Sequence, residues 1–112
     1  MSVIVREGSL EEVVSVVEQI TEFAKKESVA SLSERLAGKT SLILVAEEAG
    51  VLLGFKIGYE LDENTFYSWF GGVSSLARNK GVAQAQLDVQ EQWVKQQGLS
   101  LIHISEPTRP LT

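Results

Sequence analysis

Residues 65–98 constrain the fold more than any other stretch. Thr65-Phe66-Tyr67-Ser68-Trp69-Phe70-Gly71-Gly72-Val73 is rich in aromatic and β-branched residues and reads as a strand. Val82, Leu87, Val89, Trp93 and Val94 then recur at roughly helical spacing. Between them lies Arg78-Asn79-Lys80-Gly81-Val82-Ala83. A strand that turns into a helix over such a link leaves the first helical amides without partners, and the positive end of the helix dipole lies beside them. Together they form an anion site. Gly81 has no Cβ and lets the backbone approach a ligand closely. Ala83 keeps the first turn thin, and Arg78 and Lys80 bring charge suited to a phosphate. The ligand such a turn suits is a phosphorylated cofactor.

Upstream, the pattern sets a strand, two helices and two more strands before this segment. Ser2-Val3-Ile4-Val5-Arg6-Glu7 reads as a first strand, broken by Gly8-Ser9. Ser9-x-x-Glu12 is a capping box that starts a helix near Leu10, with Leu10, Val13, Val14, Val17, Ile20 and Phe23-Ala24 on one face. Ser31 to Ala37 reads as a second helix, capped by Ser31-x-x-Glu34 and stopped by Gly38. Ser41 to Glu47 and Val51 to Leu61 are β-rich runs around the turn Glu48-Ala49-Gly50. Gly54 and Gly58 inside the second run mark a bulge or close packing. Asp62-Glu63-Asn64 turns the chain into the 65–73 strand. The helix after that strand must cross over to a parallel neighbour, right-handed by the usual rule.

A chain of 112 residues with 44% apolar content supports one domain and one core. Its net charge of −5 argues against a nucleic-acid surface. No run has the length of a membrane span, and no signal-peptide pattern opens the chain. The absence of cysteine excludes a disulfide scaffold and a thiol nucleophile. The expectation is a cytoplasmic protein with no nucleic-acid or membrane partner and no metal site.

The block Phe66 to Val73, a short loop, Arg78-x-x-Gly81-Val82-Ala83 and a helix ending near Gly98 resembles the core of the GCN5-related N-acetyltransferases. The resemblance covers residues 1–98, and Val51-Leu52-Leu53-Gly54-Phe55 resembles the family's third strand. It implies an α+β fold with a mixed, mostly antiparallel sheet flanked by helices, in the order β-α-α-β-β-β-α-(β). It also implies an acyltransferase that moves acetyl from acetyl-coenzyme A to an amine, a small molecule or a peptide, with homodimerisation of the parent enzyme open. By the same resemblance, Arg78, Asn79, Lys80, Gly81, Val82 and Ala83 hold the cofactor, mostly through backbone, and Val73 offers backbone groups to the pantetheine arm. Gly71 is a second candidate for that contact. Tyr67 stands where some members place a glutamate base; with Trp69 it either shapes the acceptor pocket or belongs to the core. The first two helices often line the acceptor entrance, which makes Glu27, Glu34, Arg35 and Lys39 candidate contacts. Glu47, Glu48 and Glu60 are carboxylates able to act through water, but no base or acid is assigned. Ser75 and Ala77 replace a proline and an aromatic common in the family, which predicts a loosely packed loop before Arg78. The alternative is a non-catalytic α/β module that binds a phosphorylated ligand or a protein partner.

Residues 99–112 read differently. Leu99-Ser100-Leu101-Ile102-His103-Ile104-Ser105-Glu106-Pro107-Thr108-Arg109 resembles, in one frame, the translation of a transposase-type sequencing adaptor. The expectation is an incomplete, inactive acetyltransferase domain over 1–98 and a non-native tail over 99–112. The single histidine, His103, falls in that tail and is set aside as a base. Leu99 to Ile104 is apolar and β-prone, so it is expected to lie parallel to the 65–73 strand.

Overall fold

The computed structural model describes residues 3–20, 27–77 and 80–102. The elements are β1 (Ile4–Glu7), α1 (Leu10–Val17), α2 (Val29–Leu36), β2 (Ser41–Glu48), β3 (Val51–Asp62), β4 (Thr65–Val73), α3 (Val82–Gln96) and β5 (Ser100–Ile102), with a 3-10 turn at Ser75–Ala77. The strands form one sheet in the order β1-β2-β3-β4-β5. Neighbours are antiparallel except β4 and β5, which are parallel. The expected α+β arrangement is therefore the one observed.

Local chemistry accounts for most boundaries. Ser9 caps α1 and Glu12 closes the box, as its spacing predicts. The second helix starts two residues earlier than expected. Ser28 is its cap, and Ser31 is the reciprocal partner at the third helical position, not the cap itself. A serine hydroxyl both donates and accepts, so Ser31 does the work usually done by glutamate. α1 ends at Val17, and Phe23 and Ala24 lie outside the described residues. Ala49 and Gly50, with φ of 53° and 82°, form the tight turn between β2 and β3.

Strand alternation separates two cores. On one face Val45, Phe55, Ile57 and Tyr59 meet Val13, Val17 and Leu32 of α1 and α2. On the other, Leu42, Leu44 and Phe66 meet Val94, while Ala46 and Leu53 meet Val82. The glycines of β3 serve this second face. A Cβ on Gly58 would collide with the Phe66 ring and stand 2.8 Å from the Tyr67 carbonyl oxygen. One on Gly54 would stand 2.6 Å from Gln86 Oε1.

Arg6 joins β1, α1 and β2. It donates to Glu12 at 2.7 Å and to Glu47 at 2.8 Å. The Arg6 guanidinium, with help from the Ser9 amide, holds the Glu12 carboxyl down to about 2.

Two expectations for stability follow. Gly58→Ala should destabilise by about 1–3 kcal/mol, because the Phe66 ring must move. Chemical denaturation checks this, and Phe66→Leu in the same chain should recover part of the loss. Glu12 has a depressed folded pKa, so its contribution is present above the ordinary carboxylate range and is lost as pH falls toward about 2. Glu12→Gln keeps the capping geometry and removes the charge. At pH 7 it should cost about 0.5–1 kcal/mol, the scale for a partly exposed pair. The gap between the two proteins should close near pH 2 in thermal melts.

Candidate functional site

The site is built along β4 and the start of α3. β4 pairs with β5 at Thr65, Phe66 and Tyr67, and Ile102, the partner of Tyr67, is the last described residue of β5. The register of β4 with β3 carries an irregularity. Ile57 pairs with Phe70, and Gly58 pairs with Ser68, so Trp69 is an extra residue in β4. Such a bulge increases the local twist and bends the strand. Beyond it, Gly71, Gly72 and Val73 return to regular pairing with Lys56, Phe55 and Gly54.

The link from β4 to α3 is pinned despite Ser75 and Ala77. The Ser74 amide donates to the Leu53 carbonyl at 2.8 Å, and the Ala77 amide closes the turn onto Ser74 at 2.9 Å. Ala77 is buried beside Ala46, Leu53 and Val82. The expected loosening of this loop is therefore not what the structure shows. A small residue at 77 fits because β2 and β3 pack close underneath.

Gly81 is the N-cap of α3, with φ 73° and ψ 20°. This left-handed conformation is one that glycine adopts without strain. Among the described residues, its chain neighbours aside, no atom lies within 4 Å of where its Cβ would be. The cap makes no side-chain hydrogen bond, and the first turn holds no acidic residue. Its amides are thus left to an outside acceptor. Val82 is buried against the sheet, and Ala83 is exposed. Lys80 is placed beside the turn, but its ammonium pairs with Glu48 at 2.9 Å. Arg78 and Asn79 lie outside the described residues.

Tyr67 and Trp69 are on the α1/α2 face of the sheet. Tyr67 meets Tyr59 edge-on at 5.5 Å, and Trp69 lies 6.0 Å from Tyr59 and 5.4 Å from Phe70. Arg35 of α2 sits over the Trp69 ring at 4.7 Å and donates to the Tyr59 hydroxyl at 3.1 Å. The aromatics thus form the wall of a partly open surface as well as the rim of the core. Of the candidate carboxylates, Glu47 is tied to Arg6 and Glu48 to Lys80. Glu27 accepts from the Ser31 hydroxyl at 2.6 Å.

The buried face of α3 differs from the expected one. Val82, Gln86, Gln90 and Val94 face the sheet, and Val89 is exposed. Gln86 donates to the Phe55 carbonyl at 3.0 Å. Gln90 and Ser68 are buried with side-chain polar atoms that have no partner among the described residues. Apolar spacing missed both glutamines; a strict four-residue repeat from Val82 to Val94 is the signal that finds them. A surface hollow of about 450 Å³ along Asp88, Glu91, Gln92 and Lys95 lies on the opposite, exposed side of α3. Among the described residues no group of three or more acidic or histidine side chains is placed to hold a metal ion, and no helix is long and apolar enough to cross a membrane.

A strand that leads into a helix opened by an uncapped glycine is the arrangement the family resemblance implies. The model of the Acetyltransferase (GNAT) family matches residues 11–111. The chain belongs to that family. Its members are acyltransferases that use acetyl-coenzyme A. No curated protein sequence matches the chain. Among solved structures it is similar to Ard1 from Thermoplasma volcanium, at 19% identity and TM-score 0.79, over 99% of this chain and 76% of that one. It is similar to ribosomal-protein-alanine N-acetyltransferase from Brucella melitensis biovar Abortus 2308, at 21% identity and TM-score 0.76, over 97% and 84% of the two chains. A third is AAC(6')-Iy in complex with the bisubstrate analog CoA-S-monomethyl-acetylneamine, at 16% identity and TM-score 0.74, over 97% and 83%. At these identities the likeness is one of fold.

Proposed function

We propose that this chain presents an acetyl-coenzyme A site along the start of α3 and the second half of β4, and that the acetyl group is destined for an amine in the cytoplasm. The observation that carries the reading is Gly81. It is left-handed, open on its outer side, and heads a helix whose first amides have no side-chain cap. A pyrophosphate fits that cradle: the amides of Val82 and Ala83 supply donors, and Arg78 and Asn79 are further contacts implied by the family resemblance. Bound there, the cofactor supplies an activated thioester carbonyl. Val73 and Gly71 offer backbone groups to its arm. Val73 to Trp69 spans about 13 Å of strand, a run that brings an extended arm to the bulge. Holding the arm there fixes where the carbonyl meets the amine. Tyr67 and Trp69 border that point on the acceptor side.

We propose further that residues 99–112 are foreign to the domain and that the chain turns over poorly. The support is the adaptor-like reading of residues 99–109. Ser100, Leu101 and Ile102 pair with β4 through backbone groups, which any β-prone segment carries. Residues 103–112, with His103, lie outside the described residues. A backbone strand in that position closes part of the sheet but brings no selected side chains to the reacting atoms.

Calorimetric titration with coenzyme A tests the first proposal. Gly81→Asp should abolish binding, while Gly81→Asn, equally tolerant of the left-handed conformation, should lose much less. Arg78→Ala should weaken binding by about 1–3 kcal/mol. Equal affinity of Gly81→Asp and the parent chain would overturn the anion site. Thiol release from acetyl-coenzyme A over a broad amine panel tests the second. Little release is expected, and robust turnover by the 112-residue chain would overturn it.

A further inference from the structure

The acceptor side of the sheet carries an unusual pairing of charge and ring. Arg35 covers Trp69 at 4.7 Å and stands 5.7 Å from the Tyr59 ring centre. Lys39 lies 5.5 Å from the same Tyr59 ring and donates to the Arg35 carbonyl at 3.0 Å. Neither cation forms an ion pair with a described carboxylate. That is notable in a chain with net charge −5. The Arg35 guanidinium has five N–H donors, and its hydrogen bond among the described residues is the one to Tyr59. Its position is held from both sides, by the ring stack and by that hydroxyl. The remaining donors form a pre-set fork with no acceptor among the described residues.

Aromatic walls alone favour a cationic acceptor. Here the face of Trp69 is already taken by the protein's own cation, so a polycationic acceptor meets both a blocked ring and two like charges. Resting on the proposed acceptor side at Trp69, we infer that Arg35 is an anion clamp and that the acceptor is an amine carrying a carboxylate close to its amino group. The carboxylate docks in the guanidinium fork with Lys39 beside it. The amine then points toward the bulge of β4 at Trp69. A free amino acid and the amino terminus of an acidic peptide share this chemistry.

Equilibrium binding to the full chain decides the matter, read by tryptophan fluorescence and calorimetry without cofactor. The probes are β-alanine, its amide, an alanine-first peptide with glutamates at its second and third positions, the same peptide with glutamines, and cadaverine. Each acid should bind at least tenfold tighter than its neutral counterpart. The member of the pair that binds tighter, free amino acid or peptide, identifies the source. Arg35→Gln should erase the preference and, by uncovering Trp69, tighten cadaverine binding. Arg35→Lys should keep part of the preference for acids. A purely structural Arg35 would weaken all probes alike. Equal binding of acid and amide, tighter cadaverine than acid in the parent chain, or no acid binding at all would overturn the inference. Coenzyme A is titrated in parallel. Its failure to bind would overturn the cofactor site, while the acid-to-amide ratio would still decide the clamp.

Discussion

The register of β4 against β3 governs most of what this molecule presents to its surroundings. Two residues of β3, Ile57 and Gly58, face three of β4, Ser68, Trp69 and Phe70. The excess residue resets which side chains point to which face. Before it, Phe66 and Ser68 face α3; after it, Phe70 turns to Phe55 on the α1/α2 face, at 5.0 Å edge-on. The same excess bends the strand at Trp69. Regular pairing throughout would turn Trp69 with the alternation to the other face.

The two faces of the sheet are built on different rules. The α1/α2 face is apolar and aromatic and reaches the surface at Tyr67 and Trp69, which pack on the buried Tyr59. The α3 face is mixed. Two glycines in β3 thin the sheet, and buried glutamines fill the space between it and the helix. Gln86 ties the helix to the Phe55 carbonyl, a fixed point in the middle of β3. This amide fixes where α3 sits more sharply than apolar contact would, because a hydrogen bond has direction and a methyl contact does not. The N-terminal turn of α3 is placed by the same fastening, one turn away.

Much of this was legible in the residues, for physical reasons that differ by element. The 65–73 strand and its glycine-opened helix were readable because β-branched and aromatic runs, and glycine before an apolar repeat, are strong local signals. The cap at Ser9 was readable because serine and glutamate sit three apart with no competing serine. At α2 three serines compete, at 28, 31 and 33, and the earlier one wins because Ser31 can reciprocate. The buried glutamines escaped notice, since hydrophobic spacing counts polar residues as exposed. The Arg35 stack depends on α2 landing over β4, a tertiary fact that no local pattern carries.

The pairing of Lys80 with Glu48 has a consequence for how the turn before α3 meets solvent. The contact spans from the end of β2 to the residue preceding Gly81 and is half exposed on the lysine side. It is therefore sensitive to mobile ions, which screen such pairs over about 10 Å at moderate ionic strength. An anion at the proposed Gly81 site would meet a lysine that already has a partner, and would share the ammonium with Glu48 or release it. Either way, the local charge count would change by less than beside a free lysine. Glu48 is a built-in counterion to Lys80, so the proposed site would exchange one negative partner for another without first stripping a bare cation of its water.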